Sequence, residues 1–232
     1  MQTSGYFRES SHRFYGAVTA LVMLTLYEIF VIWGARSDFV VRNAPEAWLR
    51  NTLNFIGISH YHISFLMLGA ALVAVPLFYD ASVKLRGRVI VLMILESIFW
   101  GIASGLLIQL IMTELLFMAG TVSGSLIGDL GLAIGAGLFE ELFFRVILTT
   151  VLIRLLVKTI RTRWLSLFIA ILIASFLFSL AHYVGNLADT FEIYSFLFRF
   201  LAGIWFTTLY SFRGFAIVCM SHAFYDIFVI LL

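Results

Sequence analysis

Seven long apolar stretches dominate the chain, separated by short polar segments. They cover roughly residues 14–34, 61–79, 89–117, 134–153, 164–182, 194–212 and 214–232, each end placed to within a few residues. Their apolar positions run continuously rather than alternating, which predicts helices and not the strands of a barrel. Lipid offers a free backbone nothing to bond to, so a spanning segment must satisfy its own amides, and about 20 helical residues cross a hydrocarbon core. The expected fold is all-α: a polytopic membrane bundle of about seven (six to eight) transmembrane helices. The third stretch is long enough to tilt, or to bend near Gly101 and Gly105.

Composition agrees with the pattern. Of 232 residues, 62% are hydrophobic, 16% aromatic and only 12% charged, and mean hydropathy is +1.04. A soluble domain is nearer half apolar and a quarter charged. The net charge of +2 is too small to argue for nucleic acid. The single cysteine, Cys219, excludes an intrachain disulfide. Neither a cleavable signal peptide nor a lipidation motif is evident. The expected organisation is one integral membrane domain over residues 1–232, with three spans in 1–118 and a four-span core in 134–232. Between the first two spans, Arg36 to Asn54 carries Pro45 and the amphipathic Trp48-Leu49-Arg50, which predicts a segment along the membrane interface.

Loop charges give an orientation. Arg8, Arg13, Lys84, Arg86, Arg88, Arg154, Lys158, Arg161, Arg163 and Arg213 all fall on one side of a seven-span chain, against Arg36, Arg42 and Arg50 on the other. By the positive-inside rule the N-terminus is cytoplasmic and the C-terminus outside. Gly120, Gly124, Gly128, Gly131 and Gly135 then recur at close to every fourth residue. That spacing suits close helix packing, and equally a re-entrant loop.

Candidate chemistry begins at Phe139-Glu140-Glu141-Leu142-Phe143-Phe144-Arg145, three ionisable groups inside an apolar run. A charge at the bilayer centre costs about 2.5–3.5 kcal/mol on insertion scales, so such groups are functional suspects by default. Glu141 and Arg145 are four apart, share a helical face and can pair, which leaves Glu140 without a local partner. Two further constellations follow: Phe178 with His182 at the end of the fifth span, and His222 with Asp226, four apart, in the seventh. On a helix Asp226 can hold the His222 ring in one tautomer. Counted at about 1.5 Å per residue, the three sets lie at depths compatible with one cavity opening outward. A carboxylate and an imidazole on one water make a general-base pair, and a second imidazole can stabilise an oxyanion. Glu140, His182 and His222 would also make an acceptable zinc set, although the short spacing of known zinc-hydrolase motifs is absent. A scaffold, immunity protein or transporter that keeps a relict site is the non-enzymatic alternative. Glu28, Glu96, Gln109, Glu114 and Arg199 also fall in or near spans, where packing is the ordinary role; Arg199 could instead meet a substrate carboxylate.

These motifs resemble those of the CAAX-prenyl protease and bacteriocin-processing (CPBP or Abi) family of intramembrane endopeptidases. Its signature of Glu-Glu-x-x-x-Arg, Phe-x-x-x-His and His-x-x-x-Asn or a relative is matched in order by Glu140-Glu141-x-x-x-Arg145, Phe178-x-x-x-His182 and His222-x-x-x-Asp226. The resemblance covers about residues 134–226. It implies a metal-independent glutamic peptidase without cofactor, acting on a membrane-embedded or membrane-proximal protein or peptide in the lipid bilayer. Carried over, Glu140 is the general base, His182 positions the water, and His222 contributes to the oxyanion hole. Glu141, Arg145 and Phe178 shape the site. Asp226 departs from the Asn of prenyl-processing relatives, and an ionised carboxylate cannot donate to an oxyanion. With the outward orientation, the resemblance implies a bacterial inner-membrane enzyme that trims the hydrophobic tail or leader of an exported protein; a cytosol-facing site would imply a CAAX-like substrate.

Overall fold

The computed structural model of the chain describes residues 3–34, 42–111, 125–185 and 188–231. Among the described residues, all regular structure is helical. The helices are α1 (Thr3–Ser10), α2 (Arg13–Gly34), α3 (Ala44–Phe55), α4 (His60–Leu77), α5 (Gly87–Ile111) and α6 (Leu126–Gly135). A π-helix (Ala136–Thr149) continues α6 and runs on into α7 (Thr150–Ile160). Then come α8 (Arg163–Ala181), α9 (Ile193–Arg213) and α10 (Phe215–Leu231). Four segments, Arg13–Gly34, Gly87–Ile108, Arg163–Ala181 and Ile193–Arg213, are long and apolar enough to cross a membrane alone. Tyr61–Leu77 and Phe215–Leu231 are shorter apolar helices. The chain is an integral membrane protein with a polytopic helical fold, and the described part of each expected span falls largely on helix. Residues 112–117 of the third span, with Gly120, Gly124 and Glu114, fall outside the described residues. α5 runs through Gly101 and Gly105 without interruption.

The apolar surface of a bilayer gives helices no hydrophobic reason to associate, so small residues and polar bonds must supply it. α10 is the central helix. Ala216, Ile217, Val218, Cys219, Ser221, His222, Ala223 and Tyr225 are buried along it, and α5, α6, α9, α2 and the π-helix pack around it. Gly101 seats α5 against it: a Cβ there would lie 2.9 Å from Phe224 Cβ and 3.1 Å from the Ser221 carbonyl oxygen. Gly128 and Gly131 of α6 lie against Gly34, Phe30 and Val31 of α2. For these glycines the spacing serves helix packing.

The two ends of the bundle are fastened by polar clusters. At one end Arg213 reaches both carboxylate oxygens of Glu96, at 2.5 and 2.7 Å. It also bonds Ser10 and Ser11 beside α1, and Tyr6 donates to Glu96 at 2.5 Å. At the other end α3 lies against the bundle. There Arg50 donates to Glu46 at 2.5 Å, to Glu28 of α2 at 2.8 Å and to Ser64 of α4 at 2.8 Å. Arg42 pairs with the same two acids, at 2.7 Å and 3.1 Å, and Tyr27 bonds Glu46. Burial works against the Arg42 charge, but Glu46 and Glu28 outweigh it and hold the guanidinium charged beyond its ordinary range. The α3 helix forms where an interfacial segment was expected. Its Arg50 does not face water, because two buried carboxylates draw it inward.

Candidate active site

The Glu140 motif sits on the π-helix, whose i→i+5 bonding is rare beyond a single turn and recurs at functional sites. The wider turn brings residues five apart into rows. Phe139, Phe144 and Thr149 form one buried row, and Glu140 and Arg145 the next. The Thr149 hydroxyl donates to the Phe144 carbonyl, five residues back, at 2.7 Å. Gly137 lets this helix touch α10. A Cβ there would collide with the Cys219 carbonyl oxygen and lie 2.8 Å from the Ala223 nitrogen. Since backbone cannot yield as a side chain can, Gly137→Val is expected to destabilise the protein by about 3 kcal/mol and to abolish activity. A thermal melt in detergent beside a cleavage assay checks this; a wild-type melt would refute it.

Close approach at Gly137 puts both glutamates beside His222. Its Nδ1 lies 2.6 Å from Glu141 Oε1, and the same oxygen is 3.2 Å from Arg145 Nη1. Glu141 and Arg145 are both fully buried. The guanidinium carbon lies 4.4 Å from the Phe178 ring centroid and 6.0 Å from that of Phe206, an arrangement in which a ring face attracts a cation. On its other side, His222 Nε2 faces Glu140 Oε2 at 3.9 Å and Asp226 Oδ2 at 3.6 Å. One ring nitrogen is therefore held closely by Glu141, and the other is shared at longer range by two carboxylates. This differs from the expected arrangement, in which Asp226 sets the tautomer. The shorter contact, at Nδ1, belongs to Glu141, which the π-helix carries to the ring.

His182 follows the last residue of α8, and its Nδ1–H donates to the Phe178 carbonyl at 3.0 Å. A carbonyl only accepts, so this bond leaves Nε2 as the free acceptor. The Phe178 ring lies between the two histidines, its centroid 5.1 Å from His182 and 6.5 Å from His222. The structure thus brings together all seven residues singled out in the sequence: Glu140, Glu141, Arg145, Phe178, His182, His222 and Asp226. It adds one that they did not include. Phe206 of α9, buried, stacks on His222 with centroids 4.5 Å apart and planes at 14°. No local signal marks it, since Phe206 lies in an aromatic-rich helix like many lipid-facing phenylalanines. Cys219 is buried one turn before His222. Among the described residues, no group of three or more His, Cys, Asp or Glu side chains is arranged to hold a metal ion.

Two adjacent glutamates, an arginine and two histidines from separate helices are thus gathered within one helical membrane bundle. Residues 122–228 match the family model described as type II CAAX prenyl endopeptidase Rce1-like. The match spans all three motifs, as their resemblance led one to expect, and it supports a peptidase acting in the membrane. No curated protein and no solved structure matches the chain.

Proposed function

We propose that the protein is an intramembrane glutamic endopeptidase that activates water with Glu140. The observation that carries this reading is the asymmetry around His222. Glu141, neutralised by Arg145, occupies Nδ1, while Glu140 faces Nε2 across 3.9 Å without a hydrogen bond. Glu140 removes a proton from a water molecule, whose oxygen adds to the scissile carbonyl carbon. The proton then passes to the leaving nitrogen as the carbon–nitrogen bond breaks, giving a new carboxylate and a new amine. His182, with Nε2 free to accept, positions the water. The Nε2 side of His222 faces the developing oxyanion, and Asp226 stands beside it as a second carboxylate. Phe178 and Phe206 hold both rings in place.

Residues 134–232 form the catalytic core in this reading, with residues 1–118 as its support. The loop charges support a cytoplasmic N-terminus with the site's end of the bundle outside, and in this reading the membrane is a bacterial inner membrane. That supports the hydrophobic tail or leader of an exported protein as substrate. Reporter fusions at Gly185 and Asp189 check the side, and a cytoplasmic signal would move the substrate to a CAAX-like tail.

The test is a panel of labelled peptides, including prenylated CAAX peptides and hydrophobic sorting tails, incubated with purified protein with and without chelator. Cleavage is expected to be unaffected by chelator. Loss of cleavage on chelation, restored by zinc, would replace this reading by a zinc hydrolase. No cleavage of any member would favour a scaffold, immunity or transport role.

A further inference from the structure

α7 (Thr150–Ile160) runs straight on from the π-helix that carries Glu140 and Arg145, and a tight turn joins it to α8 (Arg163–Ala181). Arg154, Lys158, Arg161 and Arg163 lie on this segment, and all four are exposed. Arg154 and Lys158 are one turn apart on one face of α7, and Arg161 continues that face. Arg161 ends the helix with φ at 62°, its N–H donating to the Val157 carbonyl at 3.1 Å. Glycine is the usual residue in that left-handed position, so the chain keeps a cation where a bare backbone would fit more easily. No acidic residue lies between Glu141 and Asp189 in the sequence. Other loop cations are answered by acids, Arg213 by Glu96 and Arg86 by Glu9. The basic face is also apolar between its charges. Val151 and Leu155 are exposed beside Arg154 and Lys158, and Trp164 is exposed at the start of α8. The opposite face, with Leu152, Ile153, Leu156 and Val157, is half-buried, and α7 packs on α8 and the π-helix.

A face that shows cations and apolar side chains together suits neither bulk water nor hydrocarbon. It lies where one apolar stretch ends and the next, Arg163–Ala181, begins, which is the headgroup layer. Long basic side chains there reach the headgroups while their stems lie along acyl chains, and tryptophan favours the same layer. Clusters of four or more cations beside a membrane helix attract anionic lipid. An acidic soluble protein would answer the charges and leave Leu155 and Trp164 against water, whereas a phospholipid answers both. We propose that the turn between α7 and α8 binds an anionic phospholipid. Its headgroup lies on Arg154, Lys158, Arg161 and Arg163, and its acyl chains lie against Val151, Leu155 and Trp164. Because α7 is continuous with the π-helix, the lipid fastens the far end of the segment that carries the candidate site. Arg154 stands about 13 Å along that segment from Arg145.

The test reconstitutes the full chain in phosphatidylcholine vesicles that carry a small fraction of lipid with brominated acyl chains, and reads the quenching of tryptophan fluorescence. At equal fraction, brominated phosphatidylglycerol is expected to quench wild type more than brominated phosphatidylcholine. Trp164→Phe should remove most of that excess, which locates the lipid at the turn. The preference is expected to fall by about fivefold for each charge removed, in Arg154→Gln and again when Lys158→Gln is added. Arg154→Lys should keep it, since the charge stays. Raising the salt from about 0.05 M to about 0.5 M shortens the reach of exposed charges and should weaken it in wild type. The salt series and Trp164→Phe decide the matter should the double variant fold poorly. Equal quenching of wild type by the two lipids would overturn the proposal. So would an excess that survives Trp164→Phe in full, or one unchanged in the double variant or by salt. Glycerol phosphate in solution is expected to leave the excess in place. If it displaced the lipid, the turn would be a site for free phosphate and the lipid assignment would fail.

Discussion

Glu140→Gln is expected to lower kcat/KM by about 10²- to 10⁴-fold, the range for removal of a general base, and to leave the melting temperature near that of wild type. The amide has the shape of the acid. Glu140 has His222 Nε2 as its nearest ionic partner, at 3.9 Å, beyond hydrogen-bond reach, so the fold loses little when the charge goes. Its neighbour carries the opposite signature. Glu141 is fully buried and engages both Arg145 and His222 through one oxygen. Breaking a buried pair by removing one charge costs about 3–5 kcal/mol, because the other is left unanswered. Glu141→Gln should therefore lose stability as well as activity. The measurements are peptide cleavage and a detergent thermal melt for each variant. Retained cleavage in Glu140→Gln would end the glutamic-peptidase reading, and an undisturbed melt in Glu141→Gln would end the account of the ion pair.

An effect on stability of the same size is expected away from the site. Glu46 is fully buried and takes bonds from Arg42, Arg50 and Tyr27. Glu46→Ala removes one of the two acids shared by both guanidinium groups, so that of that pair only the Glu28 carboxylate still answers them. The expected cost is about 3–5 kcal/mol, which for a chain of this size is a melting shift of roughly 10 °C. Glu46→Gln keeps the acceptor oxygen and the volume, and should lose less. Thermal unfolding followed by gel filtration in detergent checks both. If the two variants melted together within 2 °C of wild type (about 1 kcal/mol), the cluster would not be what fastens α3 to α2 and α4.

Much of the membrane architecture was legible because it depends on composition taken a few residues at a time. A continuous apolar run must be helical in lipid whatever surrounds it, and the described parts of the seven runs fall largely on helices. The pairing of Glu141 with Arg145 was legible for the same reason, since a spacing of four sets two side chains on one helical face. The motifs with Phe178, His182, His222 and Asp226 could be seen as three separate sets, and their family resemblance pointed to a shared site.

What the spacing did not reveal concerns contacts between helices. Glu141 and His222 are 81 positions apart, and nothing local says that Glu141, not the nearer Asp226, takes Nδ1. That contact needs the widened turn of the π-helix and the bare backbone of Gly137 against α10. Phe206 looks like any other aromatic residue of a membrane helix until the crossing of α9 and α10 aims it at His222. Arg50 looked interfacial because its charge was visible and its partners, Glu28 and Ser64, lay on other helices.

By itself, then, the order of residues determined that the chain is a helical membrane protein, which side chains share a helix face, and which charges are too costly to bury without purpose. Only the tertiary structure decided which charges answer one another. Helix formation is satisfied by bonds within a segment, whereas the partner of a buried charge is set by how closely two backbones approach, and that distance belongs to the packed bundle as a whole.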